Sequence, residues 1–152
     1  MIVAEAPGKL FVTGEYAVVE PGRHAVIVGV SRLIRARLHA AANDAVSSVR
    51  SLHFGSQPVP VAIDGDSVSI DAAGGELVQE CIRVVHDLAR ERGIETSPFA
   101  LEIESELDDE HGRKFGLGSS GAVAVVTVRA VAEHLGLGLD DDAVFRLATL
   151  AT

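Results

Sequence analysis

Two segments of this chain carry residue types that could bind and transfer a phosphate group. The first is the glycine- and serine-rich run at residues 116–121, which leads into an apolar helical pattern. Helix N-termini attract anions because their N–H groups are unpaired, and glycines let the backbone approach without a Cβ in the way. The second segment contains Lys9, which follows a Pro-Gly pair and begins a strand pattern. Taken alone, the glycine run predicts either a phosphate-binding loop or a tight serine-capped loop without a ligand.

The glycine run also matches parts of three unrelated motifs, and its context argues against each. Its letters fit the dinucleotide fingerprint G-x-G-x-x-G, but that motif needs an apolar strand leading directly into the first glycine. Here the preceding residues 109–114 are hydrophilic. A Walker A loop would end in Gly-Lys-Ser/Thr, which the run lacks, and a nucleophile elbow would need glycine where Ala122 stands. An anion-binding loop at a helix start is the interpretation that the context supports.

The elements that must position these segments are mostly strands in the first two thirds of the chain. Apolar and polar residues alternate at 34–38 and 99–103, which is typical of strands with one solvated face. Further strands are predicted at 10–12, 24–30, 46–54, 59–63 and 68–70, with turns at 20–23 and 64–66.

Helices dominate the last part of the chain. Apolar residues on one face predict a helix over 77–89, and a second helix begins at about Ser120 and closes at Gly136. Asp140 or Asp141 caps a third helix. Strands followed by helices indicate an α+β fold, in which the helices pack on one face of a mainly antiparallel sheet.

Composition narrows the function classes. The chain has 152 residues, 47% hydrophobic and 23% charged, which is typical of one globular domain. A net charge of −9 and the absence of Trp argue against nucleic-acid binding, because phosphate neutralisation needs a basic face. No apolar run approaches the roughly 18 residues of a membrane span, and no signal-like segment is present. The single cysteine, Cys81, lies on an apolar helix face and is interpreted as a core residue. We expect a cytoplasmic protein without membrane or nucleic-acid partners.

Together the two segments resemble the first two signature motifs of the GHMP superfamily, which comprises galactokinases, homoserine kinases, mevalonate kinases and phosphomevalonate kinases. The first motif corresponds to residues 6–16, Ala-Pro-Gly-Lys-Leu-Phe-Val-Thr-Gly-Glu-Tyr, and the second to residues 116–122, Gly-Leu-Gly-Ser-Ser-Gly-Ala. Their order and separation agree as well. The Gly-Glu-Tyr ending and its continuation to Val26 are most similar to phosphomevalonate kinases. Two departures are Ser31, where family members often have an acidic residue before Arg32, and the missing proline that usually leads the second motif.

The resemblance implies a fold, a reaction and roles for individual residues. Residues 1–152 would form the N-terminal, ATP-binding domain of a kinase that transfers the γ-phosphoryl group of ATP to 5-phosphomevalonate in the mevalonate pathway of isoprenoid biosynthesis. Lys9 would be the catalytic cation between this phosphorylated substrate and the γ-phosphate. The phosphate-binding residues would be Gly116, Leu117, Gly118, Ser119 and Ser120, and Ser120 would also hold Mg²⁺. Tyr16, His24 and Lys114 would bind the substrate. Judged on the residues alone, His24 is equally well a surface histidine and Lys114 an ordinary loop charge.

The resemblance covers only the N-terminal half of the family's fold. The last predicted helix has no Gly, Pro or basic residue as a stop signal, and the family's third glycine-rich motif and conserved aspartate would follow Thr152. We therefore expect a missing C-terminal domain and no turnover by residues 1–152 alone. An apolar patch at Leu147, Leu150 and Ala151 would favour self-association. Two alternatives stay open: a mevalonate kinase or other GHMP kinase, and a non-catalytic anion-binding or interaction domain with the same fold.

Overall fold

The computed structural model describes residues 1–43, 45–55, 57–108 and 115–152. Its six strands are β1 (Ile2–Thr13), β2 (Val26–Ala40), β3 (Ser47–Ser51), β4 (Val59–Asp64), β5 (Ser67–Ile70) and β6 (Phe99–Ser105). Its helices are α1 (Glu76–Glu91), α2 (Ser119–His134) and α3 (Asp141–Leu150). One sheet has the strand order β1-β2-β6-β3-β4-β5, in which β3 and β6 are parallel and the other neighbours antiparallel. This confirms the α+β fold with a mainly antiparallel sheet.

The sheet has one apolar and one charged face, because successive side chains of a strand point to opposite sides. On β2, Ile34, Ala36 and Leu38 are buried under the helices. The alternate residues Arg35 and Arg37 lie on the other face. Cross-strand ion pairs on that face join Arg35 to Glu5, Arg37 to Glu104 and Arg50 to Glu102. The helices therefore cover only one face, as the sequence predicts.

Helix α2 is the centre of the core. It packs against β1 and β2 on one side and against α1 and α3 on the other, and Val126, Val128 and Val131 are fully buried. On α1, Cys81 is also fully buried, and burial raises the pKa of its thiol to about 12. This confirms Cys81 as an unreactive core residue.

The expected patch on α3 is smaller than the sequence suggests. Asp140 caps this helix as predicted, because its carboxylate accepts a hydrogen bond from the Ala143 N–H at 2.8 Å. Leu150 is 73% exposed. Leu147 and Ala151, however, are half-buried against the core.

No helix in the described ranges is long and apolar enough to cross a membrane.

The strand boundaries differ from the sequence prediction in three places. Strand β1 starts at Ile2, well before the predicted 10–12, because its early inward residues are the small Ala4 and Ala6, which give a weak apolar signal. Strand β2 runs unbroken through the stretch that separates the predicted strands at 24–30 and 34–38. The strand predicted at 46–54 ends at Ser51 and continues as a 3₁₀ turn.

The far halves of β1 and β2 form a two-stranded extension, here called the outer ribbon and defined as residues 9–13 and 26–30. Strand β6 pairs with β2 only over residues 34–40, so the described sheet leaves the ribbon with β1 and β2 alone. Large apolar side chains of the ribbon are exposed: Leu10, Val12, Val26, Ile27 and Val28, at 42–61%. The ribbon contains one charged residue, Lys9, which lies at its base.

Candidate phosphate-binding site

The glycine run forms a loop that ends in the first turn of α2. Gly116 and Gly118 have φ values of +76° and +73°, in the left-handed region that favours glycine. Helix α2 begins at Ser119, directly after Gly118, which has no side chain to cap the helix, and no cap bond is found here within the part of the chain that the structure describes. The prediction that the glycine run turns into a helix near Ser119 or Ser120 is confirmed. An uncapped helix N-terminus leaves its first N–H groups open to an anion.

Lys9 lies against this loop. Its backbone N–H donates a hydrogen bond to the Leu117 carbonyl at 2.7 Å. A Cβ at Gly118 would lie only 2.8 Å from both Cγ and Cε of Lys9, so the lysine stem occupies the space that a side chain would need. The Lys9 ammonium lies 4.0 Å from the centroid of the Phe11 ring, close enough for a cation–π contact. The structure thus brings together Lys9 and the glycine run.

A break in the β1–β2 register explains how Lys9 reaches the loop. The pairing shifts between Pro7 and Lys9, and such irregularities turn the side chains that follow. Gly8 lies inside this shift, where a Cβ would be 2.6 Å from Leu107 Cδ2 and 3.0 Å from the Leu117 carbonyl oxygen. Only glycine lets β1 approach the loop this closely. The Pro-Gly-Lys sequence is therefore a packing requirement as well as a motif.

A cleft of about 460 Å³ opens beside the start of α2. Its lining includes both serines of the loop, of which Ser119 is buried and Ser120 exposed. The remaining lining residues are Ser51, Phe54, Gly74, Glu76, Leu77, Val78, Ile103 and Val123. Sequence reasoning missed these residues because each one, taken alone, fits a core position or an element end. Only their convergence on the glycine loop marks them.

The substrate-side candidates are not gathered at this cleft. Tyr16 and His24 are exposed in the connection between β1 and β2. Four residue steps of β1 separate Lys9 from Thr13, roughly 13 Å at about 3.3 Å per residue, and the connection lies beyond that point. Lys114 lies outside the described residues. The roles of all three stay predictions.

The described residues offer little for a metal ion on their own. No group of three or more His, Cys, Asp or Glu side chains among them could hold one. The exposed Ser120 hydroxyl at the cleft is an oxygen ligand of the kind that Mg²⁺ prefers. Mg²⁺ commonly takes much of its coordination from substrate phosphates, so a single hydroxyl fits a nucleotide-bound ion and not a free one.

The chain is similar in sequence and structure to several known proteins. A phosphomevalonate kinase from Streptomyces sp. (strain CL190) is 44% identical over an alignment of 163 residues, gaps included, which covers 99% of this chain and 43% of that protein. The structure of a Lin0012 protein from Listeria innocua aligns with a TM-score of 0.86 at 33% identity, covering 98% of this chain and 41% of that one. A Streptococcus pneumoniae phosphomevalonate kinase in complex with phosphomevalonate and AMPPNP aligns with a TM-score of 0.80 at 32% identity, covering 99% and 42%.

The family assignment rests on the second half of the chain. Residues 76–152, which include the glycine loop and all three helices, match the family model for the N-terminal domain of GHMP kinases. The chain spans about two fifths of the length of the relatives above. Since the model covers more than half of its residues, this chain belongs to the GHMP kinase family, as an N-terminal domain.

Proposed function

We propose that this chain is the nucleotide-phosphate-binding domain of a kinase that transfers the γ-phosphoryl group of ATP to 5-phosphomevalonate, giving 5-diphosphomevalonate. The observation that carries the proposal is the contact between Lys9 and Gly118 at the uncapped start of α2, which joins a cation to an anion-binding backbone. The substrate is argued from the 44% identity to the Streptomyces phosphomevalonate kinase and from the similar S. pneumoniae structure with phosphomevalonate and AMPPNP.

The reaction asks for charge neutralisation more than for a base. A bond forms between an oxygen of the acceptor phosphate and the γ-phosphorus, and the bond from that phosphorus to the β–γ bridging oxygen breaks to release ADP. The acceptor oxygen is already anionic near neutral pH, so positioning and electrostatics carry the step. The Lys9 ammonium would offset charge on the transferring group. The N–H groups at the start of α2 would bind the nucleotide phosphates.

The cleft beside the loop suits the nucleoside end of ATP. Its volume of about 460 Å³ lies in the range of small-molecule sites. Phe54, Leu77 and Val123 are partly buried and supply apolar surface for the base. Glu76, in the first turn of α1, offers a carboxylate to the ribose hydroxyls. When bound, Mg²⁺ would neutralise charge on the phosphates, and Ser120 would be one of its ligands through the exposed hydroxyl at the cleft.

A further domain would complete the enzyme. The relatives are more than twice as long as this chain, and the outer ribbon is an apolar surface that a second domain could cover. A two-stranded ribbon is marginally stable in water on its own, so covering it would stabilise it. Tyr16 and His24, at the end of the ribbon, would then lie beside the added domain and bind the substrate there. Lys114, outside the described residues, stays a substrate-binding candidate from the sequence alone. We place the docking surface on this ribbon and not on α3, because five large apolar side chains are exposed on the ribbon and two, Phe145 and Leu150, on α3.

Two measurements test the proposed function. ATP binding by residues 1–152 is measured by calorimetry, and we expect binding without turnover of phosphomevalonate. Residues 1–152 are then fused in place of the matching N-terminal part of the Streptomyces phosphomevalonate kinase, and ADP release is assayed with phosphomevalonate and with mevalonate. Turnover of phosphomevalonate is the expected result. Turnover of mevalonate alone would reassign the substrate, and absent ATP binding by a folded chain would refute the proposal.

A further inference from the structure

Arg32 contacts the ring of Phe115, the residue directly before the glycine loop. The guanidinium carbon of Arg32 lies 5.1 Å from the centroid of the Phe115 ring, within cation–π distance. Its Nη1 donates a hydrogen bond to the Glu106 carbonyl at 3.1 Å. One guanidinium thus joins the end of β6 to the residue directly before Gly116.

Glu106, whose carbonyl accepts the hydrogen bond from Arg32, is itself bonded to β2. The Glu106 N–H donates to the Leu33 carbonyl at 2.9 Å, and the Glu106 carboxylate accepts from the Leu33 N–H at 3.1 Å. The next residue, Leu107, accepts a hydrogen bond from the Phe115 N–H at 3.1 Å. Glu106 and Leu107 are therefore held in place by several hydrogen bonds, and Arg32 links Glu106 to the Phe115 ring.

The backbone of the glycine loop is flexible, and the contact between Arg32 and the Phe115 ring restricts it on one side. Phe115 is 49% exposed, so packing against the core holds only part of its ring. The next residues include Gly116 and Gly118, both with positive φ, whose backbone is intrinsically permissive. The far side of the loop is held through the Lys9 N–H bond to Leu117. The position of Phe115 therefore decides how the near side of the loop enters α2.

We propose that Arg32 is a positioning residue for the phosphate loop: its contact with Phe115 holds the loop so that the first N–H groups of α2 converge on the nucleotide phosphates. This inference rests on the proposed function, since it concerns the same loop. Arginine suits the task because its planar guanidinium stacks on a ring and donates an in-plane hydrogen bond at once, whereas a lysine ammonium is a point charge.

The test compares a ligand that reaches the loop with one that does not. Binding of ATP (calorimetry) and of adenosine (NMR titration) is measured for residues 1–152 and for Arg32→Gln, Arg32→Lys, Phe115→Leu and the Arg32→Gln/Phe115→Leu double variant. The matched control is Arg146→Gln, which removes the same charge from an exposed α3 pair with Asp142. We expect ATP affinity to fall about tenfold in Arg32→Gln, from the loss of a cation–π contact and a hydrogen bond. Adenosine affinity should not change, and Arg32→Lys should restore part of the ATP affinity.

The double variant separates positioning from direct contact with phosphate. If Arg32 acts through Phe115, the double variant loses no more ATP affinity than whichever single variant binds ATP more weakly. Additive losses would mean that Arg32 binds the ligand directly and would overturn the positioning role, as would equal losses for ATP and adenosine. Hydrogen exchange of residues 115–120 gives a readout without nucleotide, and it should be faster in Arg32→Gln than in the wild type. Unchanged exchange refutes the positioning role, whereas failure of the wild type to bind ATP refutes only the proposed function.

Discussion

Replacing Gly118 with alanine tests the site at its most constrained residue. Two effects follow from the structure. Gly118 has a φ of +73°, so an alanine there costs about 1–2 kcal/mol of folding free energy. Its Cβ would also lie 2.8 Å from Cγ and Cε of Lys9, too close for any real contact, so the lysine stem must move. That stem is flexible, and moving it costs little folding free energy but takes the ammonium away from the loop.

These two effects predict a split between stability and binding. The free energy of unfolding of Gly118→Ala should fall by about 1–2 kcal/mol, which a domain with about 5–15 kcal/mol of stability tolerates. ATP affinity should fall by about tenfold or more, since a charge-assisted bond contributes about 1.5–3 kcal/mol. Denaturant unfolding measures the first quantity, and calorimetry with ATP measures the second.

Gly136 provides the matched control. It has a φ of +66°, and a Cβ there would meet no atom within 4 Å. Gly136→Ala should therefore lose as much stability as Gly118→Ala but keep its ATP affinity. A folded Gly118→Ala variant with wild-type ATP affinity would refute the reasoning. Equal loss of ATP affinity in both variants would show that backbone strain, and not the displaced lysine, is responsible.

Three further predictions concern catalysis, pH and association. Lys9→Met in an active enzyme carrying this domain should lower ATP affinity about tenfold, as in Gly118→Ala, and should lower kcat by a much larger factor. Equal losses would remove Lys9 from the catalytic role. His86 is buried, and burial lowers the pKa of its imidazole below the ordinary 6.5. The unfolded chain therefore takes up a proton first, so the unfolding free energy should fall as pH drops below about 6.5, and His86→Leu should flatten that slope in denaturant titrations. The double variant Val12→Thr/Ile27→Thr should slow self-association of the purified chain, followed as the increase of its mass by light scattering, because both side chains are exposed on the outer ribbon. An unchanged rate would mean that the chain associates through another surface.

Local patterns determined much of the fold from the sequence alone. The helices were predictable because their apolar faces repeat with the helical period and their ends carry Gly136 or Asp140. The glycine loop was predictable because its residues are adjacent in the chain and lead straight into such a helix. Strand β1 was only partly predictable, since the small Ala4 and Ala6 hide its inward face.

The tertiary structure decided what meets the loop. Lys9 reaches Gly118 through the β1–β2 register shift at Gly8, and Arg32 reaches Phe115 across the end of β6. Local spacing indicates neither pair, because contacts between distant segments depend on strand register and helix packing. The meeting of Lys9 with the glycine run was expected only from the family resemblance, and the contact of Arg32 with Phe115 was not expected at all. The cleft shows most clearly what the tertiary structure alone decides. Its apolar walls consist of ordinary core-type residues from separate elements, and only the assembled sheet and helices turn those residues towards the start of α2.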